Sequence, residues 1–329
     1  MRTPLVSVVV PAYNCAPYIT DALKSASSQS ERDLEIIVVD DGSNDSTLAL
    51  AQRAAADDVR ITVLTQSHSG KPAIARNRGL SLARGQFVSF LDADDLYHVE
   101  KLELQLAVFA QSMDLDVVFH DVKYIDASGG DLTGTYLERA GFPDAVLARS
   151  RPLAASTWVC NERALFAFMC TRVSTLHPSS VLVRRSRLAR EEILFPEDLT
   201  VGEDIDLWFR LVASGGVGYV DRTLSSYRQH ARSITKRADR NMDDAIRSHT
   251  KNYPRATTVL GRGQLAAYRK RIARDLVDTA YLYREMGQAR KARALYAQSL
   301  RWRFEVRAAK ALIRASVVRV KSTRGEGSA

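Results

Sequence analysis

Cysteine is scarce in this sequence, and long apolar runs are missing. The 329 residues include three cysteines, Cys15, Cys160 and Cys170, an odd number without the spacing of a metal-binding motif. This argues against a disulfide framework and against a cysteine-based zinc site, and we expect Cys160 and Cys170 to be buried. No segment has the roughly 18 uncharged apolar residues of a membrane-spanning helix. Met1–Pro4 leads into a strand-like run without a signal-peptide core, which predicts a cytoplasmic protein.

Charge is distributed unevenly along the chain. The net charge is +9, but residues 251–329 contain 19 Lys and Arg against 5 Asp and Glu, whereas residues 1–250 contain 28 against 33. A basic tail favours an anionic partner, although a solvated basic surface would have the same composition. The tail contains no recognised nucleic-acid-reading motif, so we expect no nucleic acid partner.

Short apolar runs alternate with helical patterns through the first 120 residues. The runs are continuous and rich in β-branched residues, as in strands that are buried on both faces, and they cover residues 5–10, 34–40, 61–65, 86–91 and 116–119. This order predicts an α/β fold with a mostly parallel, doubly wound sheet flanked by helices. Further along, Leu153–Met169 fits either a helix or a mobile segment over the site.

Carboxylates directly follow two of these predicted strands. Ligands of such sheets bind beyond the carboxyl ends of the strands, and the fourth strand ends in Asp92, Ala93 and Asp94. Two carboxylates spaced i, i+2 can hold a divalent ion that binds a diphosphate. The same residues could otherwise cap the next helix. We interpret Asp92, Ala93 and Asp94 as a metal and diphosphate site.

The first two strands end in residues suited to a nucleotide. Asp40 and Asp41 follow the second strand, and one of these carboxylates can accept the N3–H of a uracil or bond to ribose hydroxyls. A helix cap alone would need only one aspartate. Strand one ends in four further candidate residues: Pro11, Ala12, Tyr13 and Asn14.

Basic residues occur near both ends of the predicted site. Lys71 and Arg76 belong to the helix before the fourth strand, where Arg76 either neutralises a phosphate or pairs with a neighbouring carboxylate. Arg228, with Arg232 and Ser233, is placed to close over a diphosphate. His230 is a candidate third metal ligand or pyrophosphate contact, although a lone histidine is more often structural.

Glu203 and Asp204 open a predicted amphipathic helix. Acidic residues in a first helical turn are ordinary partners of the helix dipole. Beside a donor site, one of them can instead act as the general base that deprotonates an acceptor hydroxyl. We assign Asp204 as this base and Glu203 as a residue that orients it or contacts the acceptor. Trp208, one turn further on, is expected in the core.

Six segments together, PAYN, DDGSND, ARNRG, FLDADD, GED and YRQHARSIT, resemble the family-2 glycosyltransferases in type and order. The resemblance covers roughly residues 5–235. It implies the GT-A fold and inversion at the anomeric carbon. It further implies a nucleotide site at Pro11 to Tyr13 and Asp41, a metal and ribose site at Asp92 and Asp94 with Asp94 as the direct ligand, and Asp204 as the catalytic base.

The implied activity is transfer of a single sugar from a nucleotide-diphosphate donor, with UDP favoured, in glycan or cell-surface polysaccharide biosynthesis. The acceptor would be a hydroxyl of a glycan, a lipid-linked molecule or a small molecule, and the cofactor Mg²⁺ or Mn²⁺. The chain lacks a QxxRW motif, which argues against a processive synthase.

Three other classes of protein share parts of this pattern. A sugar nucleotidyltransferase usually has a glycine-rich phosphate loop, but the segment PAYNCAPY after strand one contains no glycine. An NAD-dependent dehydrogenase is disfavoured because no GxGxxG follows any strand. A non-catalytic nucleotide-sugar-binding protein should have lost a carboxylate of the DxD or GED segment, and this chain retains all of them.

The sequence divides into three predicted regions. These are a catalytic domain at 1–237, a basic α-helical region at 238–321 and a disordered tail at 322–329. Residues 264–300 resemble one tetratricopeptide-like hairpin. On the last helix an apolar stripe through Trp302, Val306, Ile313 and Val320 adjoins a basic one. Such a helix can lie on the anionic inner face of a membrane, or it can dock onto its own domain or in a homodimer.

Overall fold

The computed structural model describes residues 3–172, 176–190, 194–231, 233 and 238–317. The chain divides into two compact units between Leu260 and Gly261. The strands of the described residues are β1 (Val6–Ala12), β2 (Leu34–Asp40), β3 (Ile61–Thr65), β4 (Phe87–Phe90), β5 (Leu96–Tyr97), β6 (Leu115–Ile125), β7 (Asp131–Thr135), β8 (Arg151–Ala154), β9 (Thr157–Val159), β10 (Leu182–Arg184) and β11 (Gly216–Arg228). The helices are α1 (Ile19–Ser27), α2 (Thr47–Asp57), α3 (Pro72–Leu82), α4 (Lys101–Gln111), α5 (Tyr136–Arg139), α6 (Phe142–Ala145), α7 (Glu162–Thr171), α8 (Arg185–Arg190), α9 (Glu203–Val212), α10 (Ala238–Val259), α11 (Arg262–Glu285), α12 (Ala289–Trp302) and α13 (Val306–Val317).

One sheet forms the framework of the first unit. Its order is β3-β2-β1-β4-β10-β6-β11-β9-β8, with β5 beside β11 and β7 beside β6. The four strands β3, β2, β1 and β4 are parallel, and β11 is parallel to β6. The predicted mostly parallel α/β sheet is therefore confirmed. The antiparallel strand β10 separates β4 from β6. The sequence indicates a strand over residues 179–183, and in the structure this strand begins at Leu182, after the turn Pro178–Ser180.

Helices cover both faces of the parallel part of the sheet. On one face, Val6, Val8 and Val10 of β1 pack in a core with residues of α1, α2 and α4, and all three valines are fully buried. On the other face, α3 lies across β1 and β2. Because both faces are covered, β1 is apolar at nearly every position and does not alternate.

Two segments differ from the strand and helix pattern read from the sequence. The Leu153–Met169 region forms β8, β9 and α7, and α7 starts where the Asn161 side chain accepts the N–H of Ala164. Residues 217–220 and 225–228, which the sequence indicates as two separate short strands, join into the single strand β11, whose register against β6 shifts near Thr223. A β-bulge of this kind breaks the local pattern without ending the strand.

Trp208, Cys160 and Cys170 lie in the core as expected, with Trp208 and Cys170 fully buried. No helix in the described ranges is both long and apolar enough to cross a membrane.

Helix α10 belongs to the first unit, where it packs against α9 and α7. The second unit contains α11, α12 and α13, whose shared core consists of the buried residues Ala280, Tyr283, Ala292, Tyr296 and Ala315. On α13 the alanines face this core, whereas Val306 and Ile313 are 59% and 63% exposed. Arg232, Val320 and the predicted tail 322–329 lie outside the described residues.

Candidate active site

The carboxyl ends of β1, β2 and β4 lie side by side. Strand β1 is parallel to both neighbours, with Ala12 opposite Asp40 and Val9 opposite Phe90. Asp41 and Asp92 therefore stand in loops at the same edge of the sheet. The strand pattern predicted this convergence, because the carboxyl ends of neighbouring parallel strands meet at one edge.

Arg76 on α3 joins the acidic turn after β4 to the start of α9. Its Nη2 donates to Asp92 Oδ1 at 2.7 Å, and its Nη1 donates to Glu203 Oε1 at 2.5 Å. The guanidinium carbon also lies 5.3 Å from the centroid of the Phe195 ring. Burial lowers the pKa of Arg76, but Asp92 and Glu203 raise it by more, so the net pKa is raised and the side chain stays cationic. Three acidic or basic segments of the sequence thus meet at one side chain.

Glu203 and Asp204 are neighbours at the start of α9 but differ in exposure. Gly202 before them has φ +79°, a left-handed conformation that favours glycine. Glu203 is buried against Arg76, and burial raises its pKa to about 7 although the guanidinium favours the ionised form. Asp204 is half-buried. Burial also raises the pKa of Asp204, with Arg76 opposing and Asp92 adding to the effect. Asp204 is therefore the more accessible of the two carboxylates.

Asp94 lies against His230. Its Oδ2 is 2.8 Å from His230 Nε2, and both side chains are half-buried. The Tyr18 ring packs on the imidazole, with 4.8 Å between the ring centroids. The structure thus brings these two predicted metal ligands together, and the third, Asp92, stands in the same turn bonded to Arg76.

Arg228 at the end of β11 supports the turn after β4. Its main-chain N–H donates to Asp95 Oδ1 at 3.1 Å, and its Nε donates to the carbonyl oxygen of Asp94 at 2.9 Å. Its Nη1 donates to the carbonyl oxygen of Ala127 at 3.1 Å, and the side chain is buried. The guanidinium is therefore engaged by main-chain oxygens, and its predicted contact with the diphosphate of a bound ligand stays a prediction.

A second acidic cluster, not predicted from the sequence, lies beside this turn. Asp92, Asp95 and His177 each offer a ligand atom within 4.8 Å of the others. Asp95 is fully buried and accepts from Ser179 Oγ at 2.6 Å as well as from Arg228. Because both of its oxygens are engaged, Asp95 mainly holds the turn in place. Asp95 was visible in FLDADD, but nothing in the sequence around His177 connects it to this site.

Asp41 orders the loop after β3. Its carboxylate accepts from Gln66 Nε2 at 2.6 Å, from the Ser69 N–H at 3.0 Å and from the Gly70 N–H at 3.2 Å. Gly42 permits this closure, because it has φ +71° and a Cβ there would come within 2.7 Å of the His68 nitrogen. A direct nucleotide contact by Asp41 stays a prediction.

Asp40 is buried at the end of β2. Its Oδ2 accepts from the Ser43 N–H at 3.1 Å, while Oδ1 has no hydrogen-bond partner within the described part of the chain. A buried acceptor without a partner is uncommon. Asp40 therefore retains one unused acceptor atom beside the loop that Asp41 orders.

The loops after β1 and β2 are tied together. The Asn14 N–H donates to Ser43 Oγ at 3.0 Å, and Asn14 Oδ1 accepts from the Asn44 N–H at 2.9 Å. Next to Asn14, Tyr13 is 40% exposed and stacks on His68 with 3.8 Å between ring centroids. Of the other residues predicted for this loop, Ala12 is buried and Pro11 half-buried. Tyr13 is thus the aromatic surface at this edge of the sheet.

Helix α3 also holds the segment before α9. Lys71 Nζ donates to the carbonyl oxygen of Glu197 at 2.5 Å. Asn77 donates to the carbonyl oxygen of Phe195 at 2.8 Å and accepts from its N–H at 2.9 Å. These roles of Asn77 and Phe195 were not predicted. Asn77 bonds to main-chain atoms of Phe195, which every residue has, so the identity of residue 195 does not reveal the contact.

Helix α10 completes the surroundings of α9. Asn252 is fully buried and donates to Asp206 Oδ1 at 2.7 Å, and the Thr200 N–H donates to Asp244 Oδ2 at 2.8 Å. A helix that the sequence placed in an appended region therefore supports the Glu203–Asp204 turn.

Comparison with known proteins agrees with this geometry. The sequence matches the family described as Glycosyl transferase family 2 over residues 7–173, about half of the chain. It is 36% identical to chondroitin synthase of Escherichia coli over 50% of this chain and 23% of that protein. The structure is similar to S. aureus TarS 1-349 in complex with UDP-GlcNAc, with a TM-score of 0.62, 21% identity and coverage of 94% and 79%.

A second similar structure is the mannosyltransferase PcManGT from Pyrobaculum calidifontis in complex with GDP-Man and Mn²⁺. Its TM-score is 0.59 at 19% identity, with coverage of 96% of this chain and 80% of that one. At these identities the two structures establish a common fold.

The mostly parallel sheet with an acidic turn after β4 defines this protein as one with the GT-A fold of glycosyltransferases. The match over residues 7–173 is more specific than the fold. The chain belongs to glycosyl transferase family 2. It spans between 23% and 33% of the length of three curated relatives that it matches.

Proposed function

We propose that this chain transfers a single sugar, with inversion, from a nucleoside-diphosphate donor to a hydroxyl acceptor. The observation that carries the proposal is the convergence of Asp92, Glu203 and Asp204 around Arg76 in a family-2 chain. The DxD and GED segments are far apart in sequence, and the bridge brings their carboxylates into one site.

UDP is the favoured nucleotide of the donor. Tyr13 is 40% exposed at this edge of the sheet, and at the same edge the buried Asp40 has one acceptor oxygen without a hydrogen-bond partner among the described residues. These two groups suit a base that stacks and donates one N–H, as uracil does. The complex of TarS with UDP-GlcNAc supports this choice, whereas the PcManGT structure is a complex with GDP-Man.

The residues present fit a divalent ion, Mg²⁺ or Mn²⁺. Asp92 and Asp94 offer carboxylate oxygens in one turn, the ligands that such ions prefer, and the His230 imidazole lies 2.8 Å from Asp94 Oδ2. When bound, the ion would offset the charge that develops on the leaving diphosphate. Asp95 is the weaker candidate ligand, because Ser179 and Arg228 occupy its oxygens.

Asp204 acts as the general base in this proposal. The acceptor oxygen forms a bond to the anomeric carbon, the bond from that carbon to the diphosphate oxygen breaks, and the acceptor proton passes to the Asp204 carboxylate. Burial, which raises the pKa of Asp204, makes this carboxylate a better proton acceptor. Glu203 is less suited, because it is buried and bonded to Arg76. Its position favours a role in orienting the site.

The acceptor reaction belongs to glycan or cell-surface polysaccharide synthesis. Chondroitin synthase and a hyaluronan synthase of Pasteurella multocida are among the relatives, and the latter is 33% identical over 41% of this chain. The absence of a QxxRW motif from the sequence favours addition of one sugar over processive synthesis.

We also propose that α13 contacts an anionic membrane surface. Its exposed face combines Val306 and Ile313 with Arg307, Lys310 and Arg314, and these five positions lie on one side of a helix. Phe304, just before the helix, is 72% exposed. Exposed apolar side chains among cations match the headgroup region of an anionic bilayer.

Sedimentation with phosphatidylglycerol vesicles tests this contact. Wild-type protein should bind them at low salt, and the triple variant Arg307→Ser, Lys310→Ser and Arg314→Ser should not. If the wild-type protein does not sediment with the vesicles at low salt, the membrane proposal is wrong. Formation of dimers through this face would then be the alternative.

The enzymatic proposal is tested by thermal shift and donor hydrolysis over a panel of UDP-, dTDP- and GDP-sugars, with and without Mn²⁺ or Mg²⁺. One nucleotide class should stabilise the protein in a metal-dependent manner, and Asp94→Ala should abolish the effect. If no nucleotide stabilises the protein or is hydrolysed under any of these conditions, the transferase proposal fails and a non-catalytic binding protein becomes the better description.

A further inference from the structure

An aromatic cluster extends outward from the acidic turn. His177 lies 4.6 Å from Tyr227 and 6.1 Å from Tyr136, and Tyr124 lies 5.8 Å from Tyr227 and 6.2 Å from Tyr136, all between ring centroids. The cluster starts at the site itself, because His177 Nδ1 is 3.8 Å from Asp95 Oδ2. Four rings thus form a continuous patch beside the proposed reaction centre.

These rings come from separate elements that converge at one place. Tyr124 on β6 and Tyr227 on β11 are register partners near the carboxyl ends of two parallel strands. Tyr136 starts α5 and His177 precedes the turn Pro178–Ser180. The patch therefore belongs to the same edge of the sheet as the acidic turns, but to its β6–β11 side. The Tyr13 end of the edge lies on the β1–β2 side.

The α5 segment that carries Tyr136 is held firmly on the sheet. Asp121 of β6 accepts the hydroxyl of Thr135 and the N–H of Leu137, the latter at 2.9 Å. Arg139 of the same segment lies over the Tyr124 ring, 4.5 Å from its centroid, and is exposed. The rigid segment thus presents one aromatic ring and one cation next to each other.

The tyrosines are half-buried, in contrast to the aromatic residues deeper in the same region. Phe119, Phe142 and Tyr219 are fully or almost fully buried, whereas Tyr124, Tyr136 and Tyr227 keep part of their rings accessible. Partly exposed rings with polar edges suit a ligand that has both apolar and hydroxylated surfaces. A pyranose is such a ligand, because its C–H faces can pack on rings while its hydroxyls bond to phenols and a guanidinium.

We propose that Tyr124, Tyr136 and Tyr227 form the acceptor subsite and that this subsite binds a pyranose ring of a glycan acceptor. The inference rests on the proposed transferase function and specifies its acceptor. Arg139 contributes a hydrogen-bond donor at the rim of the subsite. An open-chain polyol has no comparable face and would bind poorly.

The test compares acceptors and variants while donor hydrolysis is followed separately. The acceptors are methyl pyranosides and their disaccharides, with glycerol and ribitol as open-chain probes. Wild-type enzyme should transfer to at least one pyranoside and not to the polyols. Tyr136→Ala and Tyr124→Ala should each raise the acceptor KM about tenfold, the size of a lost aromatic contact. Tyr124→Phe, which keeps the ring, should change KM much less.

Donor hydrolysis by water and the thermal shift with nucleotide should stay at wild-type values in all of these variants, which shows that the fold and donor site are intact. Tyr281→Ala is the matched control. Tyr281 lies in the second unit, is 49% exposed and has Arg284 4.7 Å from its ring centroid.

Two results separate the inferences. Transfer to the polyols alone, or an unchanged pyranoside KM in both alanine variants, would refute the subsite and leave the transferase function standing. A wild-type enzyme that neither binds nor hydrolyses any nucleotide sugar would refute the proposed function and the subsite with it.

Discussion

Arg76 and Glu203 are 127 residues apart in the sequence, and their side chains meet at 2.5 Å between Nη1 and Oε1. Both are buried, and Asp92 accepts from the same guanidinium. Removing one member of a buried ion pair leaves the other charge in a poorly solvating environment. This contact therefore links the stability of the domain to the geometry of its proposed catalytic centre.

Replacing Arg76 with lysine tests that link. A lysine ammonium lacks the two separate NH₂ groups with which the guanidinium bonds to Asp92 and Glu203, so the two carboxylates would lose their common partner. We expect Arg76→Lys to lower the free energy of unfolding by about 3 kcal/mol and transferase kcat/KM by roughly 100-fold. Urea unfolding and initial-rate kinetics measure the two effects. Arg84→Lys is the control, since Arg84 is 55% exposed in its ion pair with Glu35. Wild-type stability and activity in Arg76→Lys would show that the bridge is dispensable.

Asp204→Asn should remove the general base without disturbing the donor site. Transfer should fall by about 10²- to 10⁴-fold, while nucleotide stabilisation stays unchanged in a thermal shift assay. Glu203→Gln should reduce transfer less, because its proposed role is orientation. The base must be deprotonated, and its raised pKa moves the rising limb of wild-type activity towards higher pH. Near-full transfer by Asp204→Asn would exclude Asp204 as the base.

The pKa of Glu203 predicts a pH-dependent stability. Burial raises this pKa from 4.5 to about 7, so the protonated side chain fits the folded protein better than the ionised one. The stabilisation is complete below the unfolded-state pKa and is lost as pH rises through the folded-state value. We expect the free energy of unfolding of the wild-type protein to fall by an amount on the order of 3 kcal/mol between about pH 4.5 and 7. The Glu203→Gln variant should not show this decrease. If the free energy of unfolding changes with pH in the same way in both proteins, this prediction is wrong.

Asp94 and Asp95 should behave differently although they are adjacent. Asp94→Ala and His230→Ala should each abolish metal-dependent stabilisation by nucleotide and lower the unfolding free energy of the apoprotein by no more than about 1 kcal/mol, the size of one lost hydrogen bond. Asp95→Ala should instead lower it by about 1–3 kcal/mol, because it leaves the buried hydroxyl of Ser179 and the N–H of Arg228 without their acceptor. Calorimetry with and without Mn²⁺ separates these effects. Metal-dependent stabilisation that survives Asp94→Ala and not Asp95→Ala would assign the ion to the Asp95 and His177 cluster.

The strand pattern anticipated much of the fold. The bounds of β2 and β3 match the predicted runs at 34–40 and 61–65, because strands buried on both faces must be apolar throughout. The sequence also indicates a strand over residues 179–183, but residues 179 and 180 belong to a tight turn and β10 itself is Leu182–Arg184. The insertion of β10 between β4 and β6 depends on pairing between segments that are distant in the sequence, and local sequence patterns do not show such pairing.

The amino-acid sequence alone determined the class of the protein, the apolar strands and the carboxylates at their ends, because strand burial and turn chemistry depend on residues close in the chain. Tertiary structure decided which of those residues meet. Arg76 was ambiguous between a phosphate and a carboxylate partner, and folding gave it two carboxylates, one from the turn after β4 and one from the start of α9. His177 and the three tyrosines of the proposed acceptor subsite left no motif, since their proximity arises only when β6, β11 and α5 pack together. Contacts across large sequence separations are set by the packing of whole elements, so a single sequence carries no local record of them.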